Sequence, residues 1–367
     1  MSRLTEFMFP GISTCVIFGR GSKSNTSTEI EWLGHKKALV LAAPHQAEEA
    51  EKLANGLGVL SAGVFAGAIM HTPVEITEQA LAVCHNSGAT AIVSLGGGST
   101  TGLGKAIATR SGADQIAIPT TYAGSEMTDI LGETRNGEKL TRRDESIRPE
   151  TVICDVDLTL TLPADMTVTS ALNAIAHGAE ALYAPDRNPV IETMCVDALI
   201  LFKQALPVLM RDPRDLDARA KMLQGAWFCS TALSYVSMAL HHKLCHTLGC
   251  AFNMPHAETH AIMIPHTTSF NAKAVPDLLA PLGVIFGSTL GTTLYDFAKS
   301  VGAPPALKDF WTFRKRPQES RRPCHAQLLC QPTSVQQIRS ANSSAGSMGQ
   351  QPPYTLATKH KGLFVGC

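Results

Sequence analysis

The first 160 residues alternate between two hydrophobic patterns. "KKALVLAA" (36–43) is a short continuous apolar run, as expected of a strand covered on both faces. "HQAEEAEKLANGLG" (45–58) follows with apolar residues at helical spacing. "ALAVCHNSGA" (80–89) reads as the end of a helix. "TAIVSLGGGST" (90–100) reads as a buried strand breaking into glycines, and "QIAIPTTYAGSE" (115–126) as another strand running into a loop. Strand, glycine turn and helix in repetition predict a parallel sheet with crossover helices. From about Leu162 the period becomes helical, in "LPADMTVTSALNAIAHGAEALYA", "IETMCVDALILFKQALPVLM" and "DARAKMLQGAWFCSTALSYVSMALHHKLCHTLG". The expected architecture is an α/β N-terminal dinucleotide-binding domain with a Rossmann-like parallel sheet (1–161), then an all-α C-terminal domain (162–310). No internal repeat is visible.

Composition narrows the function classes. The formal net charge is zero, so the whole chain shows no bias towards nucleic acid or a membrane surface. No apolar stretch is long enough for a transmembrane helix, and the N-terminus lacks the basic-then-apolar plan of a secretory signal. A cytoplasmic location is expected. The ten cysteines are scattered without a CxxC pair, which suits small buried hydrophobes better than zinc or redox use.

Residues 311–367 differ from the rest. They hold eight Lys/Arg and one acid, while 1–310 hold 23 basic and 30 acidic residues. A basic Gln/Ser/Pro-rich tail on an acidic body is expected to be disordered or frame-altered, and to leave the helical domain incomplete. Nucleic-acid binding by the tail is the lesser alternative.

"SLGGGSTTGLGKA" (94–106) ends a strand and opens a helix. Gly96, Gly97 and Gly98 let the backbone approach an anion, and the helix N-terminus beginning near Ser99 offers unpaired N–H groups. Pyrophosphate is the natural guest. "IPTTYAGSEMT" (118–128) adds Thr120, Thr121, Ser125 and Thr128 after a neighbouring strand, suited to cofactor phosphate, ribose or amide. A plain tight turn and a capped polar loop are the bland alternatives. After the first strand Ala43 stands where an acid often holds the adenosine ribose, so NADH and NADPH are both expected to be accepted.

Sixteen residues, "HHKLCHTLGCAFNMPH" (241–256), contain four histidines. His242 and His246 stand at i and i+4, as do Asn173 and His177 in "NAIAH". His256 follows a break at Pro255 that can open a new helix. Helices so marked can converge on one point. His241, His260 and His266 are expected to be structural.

On "GGGSTTGLGKA", "IPTTYAGSEMT", "LTLTLPADMTVTSALNAIAHGAEALYA" and "CHTLGCAFNMPHAETHAIMIPH", the chain resembles the iron-containing (group III) alcohol dehydrogenase superfamily over about residues 5 to 310. The wording "PTTYAGSEMT" is similar to a branch that reduces maleylacetate; metal-dependent members read closer to "PTTAGTGSE". The resemblance implies a dehydroquinate synthase-like architecture, a homodimer, a nicotinamide cofactor, and a metal held by one Asp and three His. Those positions here are Asn173, His177, His242 and His256. The anion is replaced by an amide, a much poorer ligand, so no tightly bound metal is expected.

The activity implied is NAD(P)H-dependent reduction of the conjugated C=C of maleylacetate, a small dicarboxylate, to 3-oxoadipate. Imidazole N–H groups would steady the enolate. His242 and His256 are the expected oxyanion or carboxylate donors, with His177 in support, His246 as proton donor, Asn173 as an amide donor and Tyr122 as a further donor. Lys139, in "NGEKLTRRD", matches a family position near the nicotinamide ribose. The alternatives are a metal-dependent alcohol or polyol dehydrogenase, a truncated inactive homologue, and a dehydroquinate synthase-like lyase.

Overall fold

The computed structural model describes residues 6–252, 254–304 and 306–309, all within one compact unit. The tail expected at 311–367 lies outside the described residues.

The chain begins with strands β1 (Cys15–Gly19), β2 (Ala38–Leu41), β3 (Ser61–Phe65), β4 (Ala91–Gly96), β5 (Asp114–Pro119) and β8 (Thr151–Asp155), which form one parallel sheet in the order β1-β8-β5-β4-β2-β3. Helices α1 (Thr26–Trp32), α2 (Ala47–Leu57), α3 (Val74–Ser87) and α4 (Gly98–Ser111) connect them. β2, β4 and β8 are buried along their whole length, which explains their unbroken apolar runs. β2 leads to β3 on one side, and the next strand, β4, returns to its other side. This reversal opens a crevice at the carboxyl ends of β2 and β4, where such sheets place their ligands.

The alternation of strand and helix did not foresee an antiparallel hairpin, β6 (Ile130–Arg135) with β7 (Glu138–Arg143). Its turn is Asn136-Gly137, with φ of 53° and 78° at the two residues. Positive φ at both positions defines the tight turn that matches strand twist, and Asn-Gly supplies it without strain.

After β8 the elements are helical: α5 (Ala164–Ala181), α6 (Pro189–Leu209), α7 (Leu216–Tyr235), α8 (Leu240–Phe252), α9 (His256–Ala272), α10 (Ala280–Phe286) and α11 (Leu290–Ser300). Asn188 caps α6 by accepting from Ile191 N–H at 3.1 Å, and Asp215 caps α7 by accepting from Ala218 N–H at 2.8 Å. α5 is buried on all sides between α6, α7 and α9. Its small residues make that possible: a Cβ on Gly178 would lie 2.9 Å from Cys229 Sγ on α7. Burying a helix all round also buries its polar residues, and Asn173, His177 and Glu180 each expose no more than 2%. Cys84, Cys154, Cys195, Cys229 and Cys245 are buried thiols whose pKa burial raises. Among the described residues, no helix is long and apolar enough to cross a membrane.

Candidate active site

The glycine loop and the threonine loop lie side by side at the carboxyl edge of the sheet. Thr120 N–H donates to Gly96 O at 3.1 Å, and Gln46, just past β2, donates through Nε2 to Thr120 Oγ1 at 3.0 Å. A Cβ on Gly97 would lie 2.9 Å from Thr121 Cγ2, and one on Gly98 would touch Ser125 Cβ at 4.0 Å. α4 starts at Gly98; Gly97 O accepts from Thr100 and Thr101 N–H, while Gly98 itself is exposed. The first-turn N–H groups of Gly98 and Ser99 and the positive end of α4 therefore suit an anion. Gly96, Gly97, Gly98, Ser99, Thr120, Thr121 and Ser125 are thus brought together, a cradle that fits a dinucleotide pyrophosphate.

Two residues expected here are turned elsewhere. Thr128 Oγ1 accepts from Lys105 Nζ at 2.8 Å and donates to Ser125 O at 3.0 Å, so it braces the loop from behind. Lys105 is fully buried and also donates to the carbonyls of Ser125, Thr128 and Ile130; burial lowers its pKa to about 7. Tyr122 is 0% exposed, packs in the helical core and accepts from Arg219 Nη1 at 3.2 Å. Burial raises its pKa. Its expected role as a donor in the site is corrected to that of a tie between the two halves of the chain. Lys139 stands on β7 opposite Thr134.

The histidines gather where α5, α8 and α9 meet. His177 stacks on His242 with ring centroids 4.9 Å apart, and His246 stacks on His256 at 5.8 Å. His260 lies among them, 4.4 Å from His256, 4.9 Å from His242 and 4.8 Å from His241. His246 and His256 are exposed, whereas His177, His241, His242 and His260 are buried. His260, expected to be structural, is a buried central ring of the cluster with Nε2 unpartnered. His266 is exposed on α9.

Hydrogen bonds fix which nitrogen faces inwards. Glu180 accepts from the N–H groups of Ala239 (3.1 Å) and His241 (2.7 Å) and from Tyr183 OH (2.9 Å). It acts as an acceptor throughout, so His242 Nδ1 donates to its Oε2 at 2.5 Å and His242 Nε2 carries a lone pair. His241 links Thr267 Oγ1 at 2.9 Å to His260 Nδ1 at 2.9 Å. Thr267 donates its hydroxyl to Met263 O or Ile264 O, so His241 Nδ1 donates to Thr267 and His241 Nε2 accepts from His260 Nδ1. His260 Nε2 is then a second lone pair. Burial lowers the pKa of His241 and His242 to about 3 and holds His177 and His260 well below the usual range, with the neighbouring imidazoles adding to the effect. Asn173 Oδ1 and His177 Nδ1 are buried without partners.

Glu180 was not foreseen. It stands three residues past His177, on the same helix face, a spacing that could have revealed it.

The residues do not fit the metal of an Asp/His/His/His centre. Asn173 brings no charge, and the carboxylate of Glu180 is committed to His242, Tyr183 and the start of α8. Among the described residues, the groups of three with ligand atoms within 4.8 Å of one another are His246, His256 and His260, and His241, Cys245 and His260. His177, His242 and His256 do not form one.

The iron-containing alcohol dehydrogenase profile matches residues 13–156, and that of the Fe-containing alcohol dehydrogenase family, C-terminal, matches 167–314. A maleylacetate reductase from Rhizobium sp. (strain MTP-10005) is 54% identical over 304 residues, covering 83% of this chain and 87% of that protein. The crystal structure of maleylacetate reductase from Agrobacterium tumefaciens superposes with a TM-score of 0.83 at 48% identity, covering 93% of this chain and 98% of that one. At 19% identity, a sulfoacetaldehyde reductase from Bifidobacterium kashiwanohense, solved in complex with NAD+, shares the fold with a TM-score of 0.77, covering 94% of this chain and 100% of that one. Matching both profiles, and 54% identical over 304 aligned residues to a relative of which it covers 87%, the chain belongs to the iron-containing alcohol dehydrogenase family.

Proposed function

We propose that this protein is a maleylacetate reductase, converting maleylacetate, a reduced nicotinamide cofactor and a proton to 3-oxoadipate and the oxidised cofactor. The observation that carries the reading is a cluster of imidazoles built without a carboxylate ligand, in a chain 54% identical to a protein of that name. A bound nicotinamide supplies hydride to the alkene carbon remote from the ketone. Charge then develops on the ketone oxygen as an enolate, which is far less basic than an alkoxide, so hydrogen bonds suffice to steady it.

His246 and His256, at the exposed side of the cluster, are the donors to the enolate and carboxylates, and His246 delivers the proton to the carbon beside the ketone. His242 presents a lone pair when neutral, which revises the donor role expected for it. It donates only as an imidazolium, with Glu180 as its counter-ion once the dianion is bound. His177 stacks against His242 and holds its ring, and Asn173 offers its amide. Gly96 to Ser99 and the loop Thr120 to Ser125 hold the cofactor, and Lys139 is kept as the residue whose position matches the family's near the nicotinamide ribose.

Ala43, two residues past the end of β2, brings no acid, which supports use of both NADH and NADPH. The family reading also carries a homodimer and a cytoplasmic location.

The test is oxidation of NADH by purified full-length protein with maleylacetate, with and without EDTA. Turnover unaffected by chelator is the expected result. Turnover that requires added iron overturns the metal-free mechanism, and none under either condition overturns the assignment.

A further inference from the structure

Lys105 is 0% exposed, and its Nζ lies 2.5 Å from Ser125 O, 2.7 Å from Thr128 O, 2.8 Å from Thr128 Oγ1 and 3.0 Å from Ile130 O. Carbonyls only accept, and the Thr128 hydroxyl is given to Ser125 O, so Nζ donates at every contact. An ammonium shares its three N–H groups among these acceptors. Burying it is costly, and the carboxylates of Glu126 and Asp129 nearby offset part of that cost.

The partners are not scattered. Lys105 stands on α4 about two turns past Gly98, where the anion-binding end of the helix begins. Gly104, its neighbour, seats α4 closely on β4: a Cβ there would lie 2.2 Å from Ser94 Oγ. Every acceptor of Lys105 belongs to residues 125–130, the segment that ends the threonine loop and opens β6. One side chain therefore fixes the spacing between the two halves of the cradle, the glycine turn that leads into α4 and the loop Thr120 to Ser125.

We propose that Lys105 is a positioning residue for the nicotinamide cofactor, holding residues 125–130 against α4 so that both loops meet the dinucleotide together. Fully buried, it acts through these carbonyls and the Thr128 hydroxyl rather than on the cofactor itself. A displacement of the loop by about 1 Å is enough to cost a bound ligand much of its alignment. The inference rests on the cofactor reading of the two loops, and not on the identity of the substrate.

The experiment titrates the full chain with NADH by fluorescence, well below the melting temperature so that only folded protein is read, and adds steady-state kinetics with maleylacetate. Lys105→Met keeps the stem and removes the donors. Thr128→Val keeps the shape and removes one acceptor. The dissociation constant for NADH is expected to rise about tenfold or more in Lys105→Met and about threefold or more in Thr128→Val. The KM for NADH should rise in parallel, while kcat at saturating NADH and the KM for maleylacetate stay within about threefold. A merely structural role would lower stability and the active fraction without moving NADH affinity. Unchanged affinity in both variants, or a fall in kcat with the KM for NADH untouched, overturns the proposal. If Lys105→Met does not fold, Thr128→Val decides alone, and wild-type affinity in it overturns the proposal. A wild type that binds no NADH overturns the cofactor reading and this proposal with it, whereas normal binding by wild type and variants alike overturns the proposal only.

Discussion

His242 Nδ1 donates to Glu180 Oε2, and the same carboxylate accepts the N–H groups of Ala239 and His241 at the start of α8. One buried anion thus caps a helix and sets the tautomer of the ring that the helix carries. Glu180→Gln keeps the shape but removes the charge and puts an N–H where an acceptor is needed. The expected outcome is a loss of about 1–3 kcal/mol of stability from weakened charge-assisted hydrogen bonds. Turnover of maleylacetate should fall about tenfold or more, because the imidazolium form of His242 loses its counter-ion. Urea unfolding and steady-state kinetics measure the two effects. A variant with wild-type kcat would show that the Glu180 charge beside His242 does not matter to the chemistry.

The buried imidazoles make stability fall in acid. His177, His241, His242 and His260 titrate below their unfolded value of about 6.5, His241 and His242 at about 3. The unfolded chain therefore binds more protons as pH drops below about 6.5, and stability present above that value is lost towards about pH 3. Each imidazole contributes about 1 kcal/mol per pH unit in that window. Glu126 opposes them: burial raises its pKa to about 7, so it favours the folded state as pH falls from about 7 towards about 4.5. Lys105, lowered to about 7, adds to the loss. The imidazoles and Lys105 outweigh Glu126 and leave a net loss on the order of 4 kcal/mol between about pH 7.5 and about pH 5.5. Urea unfolding at the two pH values checks this, and equal stabilities would mean that the cluster is already hydrated or charged.

The glycine loop yields a steric prediction. Gly96 has φ of 154°, and a Cβ there would lie 2.5 Å from Thr100 Oγ1 and 2.8 Å from Gln46 Oε1. Gln46 also holds Thr120, so displacing it disturbs both loops at once. Gly96→Ala is expected to raise the dissociation constant for NADH about tenfold or more, equivalent to about 1.4 kcal/mol, with a smaller change in melting temperature. Fluorescence titration of NADH measures it. Unaltered affinity would place the cofactor elsewhere.

The parallel sheet and the helices after Leu162 were legible because fully buried strands and an all-round buried helix leave long apolar signatures. The hairpin was legible in principle, since "RNGE" carries the Asn-Gly turn, but its strands "ILGETR" and "EKLTRR" are too polar to stand out by hydropathy. The i, i+4 spacing marked Asn173, His177, His242 and His246. The same spacing joins His256 to His260 on α9, but that His260 is the central ring depends on how α9 packs against α5 and α8. Tyr122 and Thr128 misled because a polar residue beside a glycine-rich crevice can face either the ligand or the core. Only the partners, Arg219 and Lys105, tell which.

The last prediction concerns the amide at the relatives' anion position. Asn173 is 2% exposed, and its Oδ1 has no partner. Asn173→Asp places a carboxylate one turn before His177 on a buried helix, where the present Oδ1 has no hydrogen-bond partner among the described residues. Without metal the variant should lose about 2–3 kcal/mol of stability, since a buried charge without a partner is costly or must take up a proton. Ferrous iron should reverse that loss, because the carboxylate supplies the charged oxygen donor that the wild type lacks and binding to the folded state alone raises its stability. Melting curves taken anaerobically with and without iron decide the matter. A large iron-dependent rise in the variant and little in the wild type is expected. An equal response in both would mean that residue 173 does not govern iron binding, and that imidazoles alone can hold the ion.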